Sequence, residues 1–139
     1  MDSAAILCQR GVLLFLLGLL TGLGQPLYKN PRVGLSAHLT GIQEGMALIA
    51  FGLLWPKLAF WSSWGMPLAQ VLWISFYGIW FALLLAAFFG ASRVLPIAGQ
   101  GFRARPWQEL IVSVLMIAAS LASLGAIAAV VVQWSWRGA

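Results

Sequence analysis

Ser36-Ala-His-Leu-Thr-Gly-Ile-Gln-Glu-Gly-Met46 is the stretch around which the rest of the chain is organised. It contains the only histidine of the sequence, His38, and one of its three acidic residues, Glu44. The surrounding run is typical of a membrane span, in which an acidic group costs about 2.5–3.5 kcal/mol on insertion scales. A membrane helix that keeps such groups needs a compensating partner, cavity, ion or cofactor. We therefore interpret this stretch as the functional site.

The composition indicates a membrane protein. Of 139 residues, 62% are hydrophobic and 8% are charged, whereas a soluble domain carries about 25% charged residues. The net charge of +5 comes from basic residues scattered singly, which indicates membrane anchors and not a nucleic-acid surface. The lone cysteine, Cys8, excludes an internal disulfide and a cysteine-built zinc or iron–sulfur site.

The hydropathy pattern predicts an all-α membrane protein, with four transmembrane helices in an up-and-down bundle. We expect residues 1–139 to form one integral-membrane domain, with Ser36 as the N-cap of the second helix and Gly90 ending the third. The first run lacks a basic leader and a small-residue cleavage site, so we expect a retained helix. The predicted spans are about 4–23, 36–55, 67–89 and 107–134.

The distribution of basic residues predicts the orientation. Five of the eight lie in the first and third connectors: Lys29, Arg32, Arg93, Arg103 and Arg105. The positive-inside rule therefore places these two connectors in the cytoplasm. Lys57 and Arg137 belong to the other face, and Arg10 is expected to extend its charge to the interface. Tryptophans typical of an interfacial belt are Trp61, Trp64, Trp107, Trp134 and Trp136.

A stripe of small residues runs beside His38. Gly34, His38, Gly41, Gly45 and Gly52 fall on one helix face if the helix reaches back to Gly34. Either a second helix packs tightly against this face, or a planar cofactor lies on the bare backbone. Haem is the cofactor that fits best, since a single axial histidine leaves one iron position open. Arg32 is the nearest basic residue that could pair with its propionates.

Two further polar side chains lie in predicted spans. Glu44 follows His38 by about 240° of helix rotation, so the two share a site only across a subunit interface. Its carboxyl group is either hydrogen-bonded to neighbours, or it orients substrate or carries a proton. Tyr77 either packs with a backbone hydrogen bond, or acts as a proton donor or substrate clamp. Glu109, at the start of the fourth helix, is assigned a structural role.

Three segments resemble hydroxylaminobenzene mutase, and the similarity covers nearly the whole chain. The Ala-His-x-x-Gly-x-x-x-Gly-Met pattern, here 37–46, is also similar to that of styrene oxide isomerase, a more distant four-helix membrane relative. The segments are Arg10-Gly-Val-Leu-Leu-Phe-Leu-Leu-Gly-Leu-Leu-Thr-Gly-Leu23, Asn30-Pro-Arg-Val-Gly-Leu-Ser-Ala-His-Leu-Thr-Gly-Ile-Gln-Glu-Gly-Met46, and Leu95-Pro-Ile-Ala-Gly99 with Pro106-Trp-Gln-Glu109.

The resemblance implies a homotrimer with haem b between subunits and His38 on ferric iron. The glycine stripe and the basic connector make Gly41, Gly45 and Arg32 the expected cofactor contacts, and Glu44 and Tyr77 are the catalytic candidates. Two departures stand out. Glu44 occupies the position of the isomerase's substrate-orienting asparagine, and Ile79 precedes Trp80 where the mutases carry asparagine. Tyr77 matches the mutase pattern.

The predicted function is a membrane-bound isomerase of the bacterial cytoplasmic membrane. It would convert aryl hydroxylamines to 2-aminophenols with ferric haem b as Lewis acid and without net redox. Three alternatives stay open: an aryl epoxide isomerase, a proton-coupled small multidrug transporter that uses Glu44, and a haem or quinone subunit of a larger complex.

Overall fold

A computed structural model of the chain describes residues 2–58 and 64–135. Within these ranges the fold consists of helices and connectors, without strands. The expectations for Trp61, Trp136 and Arg137 lie outside the described residues.

Four long helices confirm the predicted fold class. Each is long and apolar enough to cross a membrane. The first, α1, begins where the Asp2 side chain accepts a hydrogen bond from the Ala5 N–H at 2.7 Å, an N-cap arrangement. The helices are α1 (Ser3–Leu23), α2 (Pro31–Leu54), α3 (Gly65–Phe89) and α4 (Pro106–Ser135).

The start of α2 differs from the prediction. The helix begins at Pro31, and Asn30 is the N-cap, because its side-chain oxygen accepts from the N–H groups of Arg32 and Val33. The prediction of Ser36 as N-cap was therefore wrong. Proline is favoured in the first turn because its missing N–H would have no helical partner there. The five added residues bring Gly34 into the helix, so Gly34 lies on the same helix face as His38, Gly41, Gly45 and Gly52.

The helices pack as an antiparallel bundle. Along α1, Gly11 contacts Gly45 and Gly22 contacts His38, so the partner numbers on α2 fall as those on α1 rise. In α3, Trp80 lies against Gly41 of α2, and Gly78 faces Ala119 of α4. The up-and-down order of the prediction is confirmed.

The first and third connectors meet at one end of the bundle. Lys29 donates to the carbonyl oxygens of Phe89 and Arg103 at 3.1 and 3.0 Å. The buried Asn30 side chain donates to the Ala98 carbonyl at 2.9 Å. Most of the basic residues thus lie on the same face, as predicted, while the cytoplasmic location of that face stays a prediction.

Glu109 stabilises the third connector. Its carboxylate accepts hydrogen bonds from the backbone N–H groups of Ser92, Arg93 and Ala104 at 3.0–3.2 Å. Hydrogen bonds to a charged acceptor are among the stronger ones in proteins. The structural role predicted for Glu109 is confirmed, although it acts on the connector as well as lying in the first turn of α4.

Candidate functional site

The imidazole of His38 is held against the end of α1. Its Nδ1 lies 2.7 Å from the Gly18 carbonyl oxygen. A carbonyl can only accept, so Nδ1 carries the proton and donates, which fixes the tautomer. Within the described residues, Nε2 has no hydrogen-bond partner. The ring therefore offers a lone pair on Nε2 to a ligand.

A groove of about 460 Å³ lies beside this ring. Its wall is mostly apolar, and Leu23 and Leu35 in it are 79% and 51% exposed on the outside of the bundle. Gly22 permits the close approach of the imidazole, because a Cβ there would lie 2.6 Å from Nδ1. The described residues that line the groove are Leu19, Gly22, Leu23, Gln25, Leu35 and His38.

The glycine stripe of α2 is covered by α1. A Cβ on Gly41 would lie 2.7 Å from the Gly18 Cα, and one on Gly45 would lie 2.6 Å from the Phe15 backbone nitrogen. These distances are too short for any side chain. Of the two alternatives for this face, tight helix packing is therefore the one observed. Gly41 and Gly45 do not offer a free surface to a planar cofactor in this chain, which corrects the expectation of cofactor contacts there.

Arg32 contacts the third connector. Its guanidinium donates to the Gln100 carbonyl and lies 6.0 Å from the centre of the Phe102 ring. The side chain is exposed and does not belong to the groove lining. Its pairing with a carboxylate stays a prediction.

Glu44 carries a buried oxygen without a partner. Its Oε2 has no hydrogen bond within the described residues. Leaving a buried polar group unsatisfied costs about 1–3 kcal/mol. One alternative from the sequence was a carboxyl group hydrogen-bonded to its neighbours. This bonding is not observed for Oε2.

Tyr77 is bonded to the backbone of α1. Its hydroxyl donates to the Arg10 carbonyl oxygen at 2.8 Å, and its ring meets Trp73 edge-on. The Arg10 guanidinium lies 5.0 Å from the Trp73 ring centre, and its Nε is buried without a hydrogen bond among the described residues. A cation over an indole face is stabilised electrostatically. Arg10 thus packs within the bundle, in contrast to the expected extension to the interface.

The predicted site residues form two separate groups. His38 contacts Gly18 and Gly22 near the end of α1, whereas Tyr77 contacts Arg10. Eight to twelve residues of helix separate these contact points, which is about 12–18 Å along the axis. Glu44 lies at the depth of Gly11 and Phe15 of α1, because the next residue, Gly45, packs against both, and it is about 9 Å along α2 from His38.

Gln25 is a site residue that the sequence analysis missed. It lines the groove together with His38, and its Nε2 is buried without a hydrogen-bond acceptor in the described part of the chain. It stands in a proline-containing connector, in a short 3-10 helix of Gln25–Leu27. No spacing or motif distinguishes such a residue, because its placement depends on how the connector folds back beside α2.

The donor set around the groove fits a haem with one protein ligand. A ligating histidine almost always donates its second ring N–H to a carbonyl or carboxylate, as His38 does to Gly18. Among the described residues, no group of three or more His, Cys, Asp or Glu side chains is placed to hold a metal ion. His38 would therefore be the protein ligand, through Nε2, with the apolar groove walls around the ring system.

Comparisons with known proteins give consistent results. The family model described as styrene oxide isomerase matches residues 3–135. Hydroxylaminobenzene mutase HabB of Ectopseudomonas oleovorans is 41% identical over 134 residues, which is 96% of this chain and 80% of the relative. Hydroxylaminobenzene mutase HabA of the same organism is 42% identical over 107 residues, 76% of this chain and 79% of the relative. The resemblance drawn from the sequence is confirmed.

Proposed function

Because the chain belongs to the styrene oxide isomerase family and is an isomerase similar to the hydroxylaminobenzene mutases, we propose that it converts aryl hydroxylamines to 2-aminophenols in the bacterial cytoplasmic membrane. In this reaction the N–O bond breaks and a C–O bond forms at the ortho carbon. The proton lost from that carbon is balanced by the one gained at nitrogen. No external oxidant or reductant is needed.

The observation that carries the proposal is the hydrogen bond from His38 Nδ1 to the Gly18 carbonyl. It holds the ring in one orientation and leaves Nε2 available beside an open groove. Ferric haem b bound there would supply a Lewis acid for the oxygen of the N–OH group. Apolar aryl substrates partition into the bilayer, and the leucines of the groove exclude water around them.

Glu44 is the proposed acceptor for the N–H of the substrate. In one chain it lies about 9 Å along α2 and about 240° around the helix from His38, so a neighbouring copy would contribute it. We propose a homotrimer with the cofactor between subunits, as the family resemblance implies. The open groove on the outside of the bundle supports such an arrangement, since a second copy could cover it.

Tyr77 is the weaker catalytic candidate. Its O–H is already bonded to the Arg10 carbonyl, so proton donation to substrate requires that bond to break. Its oxygen can still accept a hydrogen bond. The arrangement supports a positioning role more directly than proton transfer.

The experiment uses detergent-purified protein supplied with hydroxylaminobenzene and, separately, styrene oxide. We expect a Soret band, 2-aminophenol as the main product, and loss of both in His38→Ala. Gly125→Ala is the matched control, because a Cβ at Gly125 meets no atom within 4 Å. A colourless wild type that is fully active would overturn the haem assignment. Faster turnover of styrene oxide would favour the second candidate, aryl epoxide isomerisation, which the name of the family model supports.

A further inference from the structure

The groove beside His38 contains a second polar side chain with unused hydrogen-bonding capacity. Gln25 and His38 are the polar side chains among the described residues that line it. The Nε2 of Gln25 is buried and has no acceptor in the described ranges. A buried donor without a partner is rare in native structures, and at the wall of a groove a bound ligand is one of the groups that would satisfy it.

The position of Gln25 indicates what kind of acceptor is missing. It lies just beyond the end of α1 at Leu23, at the end of the bundle where the two basic connectors meet. His38 lies further into the bundle, in the second turn of α2. A planar ligand attached at His38 would therefore have its membrane-surface edge near Gln25. Haem carries two carboxylates on one edge, and a charged edge is most stable near the polar surface.

The nearby cations are directed at backbone carbonyls around the third connector. Lys29 donates to two backbone carbonyls, and Arg32 donates to a third. Neither residue lines the groove. Gln25 is thus the side chain of the described connector that lines the groove and has an unpaired donor, and a flip of its amide would present the N–H groups to a ligand there.

We propose that Gln25 is a cofactor-positioning residue whose side-chain amide donates a hydrogen bond to a haem propionate. The proposal rests on the proposed function, because it requires haem on His38. It assigns the carboxylate contact to the neutral amide of Gln25 in the α1–α2 connector and not to the exposed Arg32, which contacts the third connector.

The test measures the affinity of the full-length apoprotein for two iron porphyrins. Ferric protoporphyrin IX carries the carboxylates, and ferric octaethylporphyrin lacks them. We expect Gln25→Leu to weaken protoporphyrin binding about tenfold, the loss of one hydrogen bond to a charged group. Gln25→Glu should weaken it further, because two carboxylates repel. Affinity for octaethylporphyrin should be unchanged in both variants.

Gln70→Leu is the matched control, since Gln70 is exposed on α3 and belongs to no groove lining described here. Equal losses for both porphyrins would assign Gln25 to packing and overturn the proposal, as would wild-type affinity in Gln25→Glu. An effect confined to the KM for hydroxylaminobenzene would assign the amide to the substrate oxygen instead. If the wild type binds neither porphyrin, the haem of the proposed function fails too.

Discussion

Glu44 and His38 are polar residues of the same helix whose side chains differ in whether a hydrogen-bond partner satisfies them. Its Oε2 is buried without a partner among the described residues, although the chain supplies polar neighbours such as Gln43 and Thr40. His38, by contrast, satisfies its Nδ1 with the Gly18 carbonyl. Keeping an unsatisfied carboxyl group reduces stability, and such costs concentrate at functional sites.

Replacement of Glu44 should therefore separate stability from activity. We expect Glu44→Leu to raise the free energy of unfolding by about 1 kcal/mol, because the unsatisfied oxygen is removed. Isomerase activity should fall at least about tenfold, the loss of one well-placed hydrogen bond. Glu44→Gln should keep the Soret band and retain more activity than Glu44→Leu, because an amide oxygen still accepts a hydrogen bond from the substrate N–H. Thermal melting in detergent and product analysis measure the two effects.

Gln43→Leu is the control, because the Gln43 side chain is exposed on the same helix. Activity within twofold of wild type in Glu44→Leu would remove Glu44 from the catalytic proposal.

The pair formed by α1 and α2 owes its close packing to glycines on both helices. A Cβ on Gly18 would lie 2.6 Å from the Ile42 backbone nitrogen and 2.7 Å from the Gly41 carbonyl carbon. Close approach of this kind lets two helices gain van der Waals contact in a membrane, where water does not drive them together. The same approach brings the Gly18 carbonyl within reach of His38. The position of the imidazole is thus a consequence of helix packing.

Gly18→Ala should separate the two helices. The added methyl group meets backbone atoms, which cannot rotate away, so we expect a loss of about 1–3 kcal/mol in unfolding free energy. The His38–Gly18 hydrogen bond should lengthen and haem affinity should fall with it. Differential scanning calorimetry and porphyrin titration in detergent measure both quantities.

Gly125→Ala serves as the matched control, since its Cβ enters open space and alanine favours helix. Equal stability of the two alanine variants would contradict the packing argument.

In the whole bundle, the first and third connectors are bonded to each other at one end, and the groove beside His38 is open to the outside. Lys29, Asn30 and Glu109 tie the first and third connectors together through backbone groups. The groove beside His38 has exposed leucines at its edge, in contrast to the closed interior next to Gly41. In the proposed trimer this edge would face another copy.

Bulky substitutions at two exposed leucines test the assembly. Leu35 lies in the groove wall and is 51% exposed, while Leu124 lies on α4 and is 66% exposed. We expect Leu35→Trp to weaken the trimer and release haem, and Leu124→Trp to change neither. Native mass spectrometry of detergent extracts should give three chains with bound haem for the wild type. A monomer that retains haem would contradict the placement of the cofactor between subunits.

The sequence by itself determined the elements and the chemistry that they carry. Four apolar runs with proline and glycine boundaries define four helices, because hydropathy and helix breaking are local properties. The unusual residues His38 and Glu44 were recognisable because polar groups in a membrane helix are costly. The motif around them identified the family, which the comparisons confirm.

The tertiary structure decided what lies against each of these residues. It packs α1 against Gly41 and Gly45, where the sequence left open whether a cofactor lies. It also sets the tautomer of His38 through the Gly18 carbonyl, twenty residues away in sequence. It also brought Gln25 into the groove. Such contacts depend on the angle and depth at which helices cross and on how a connector folds back. Those are set by packing summed over many residues, and no single stretch of sequence specifies them.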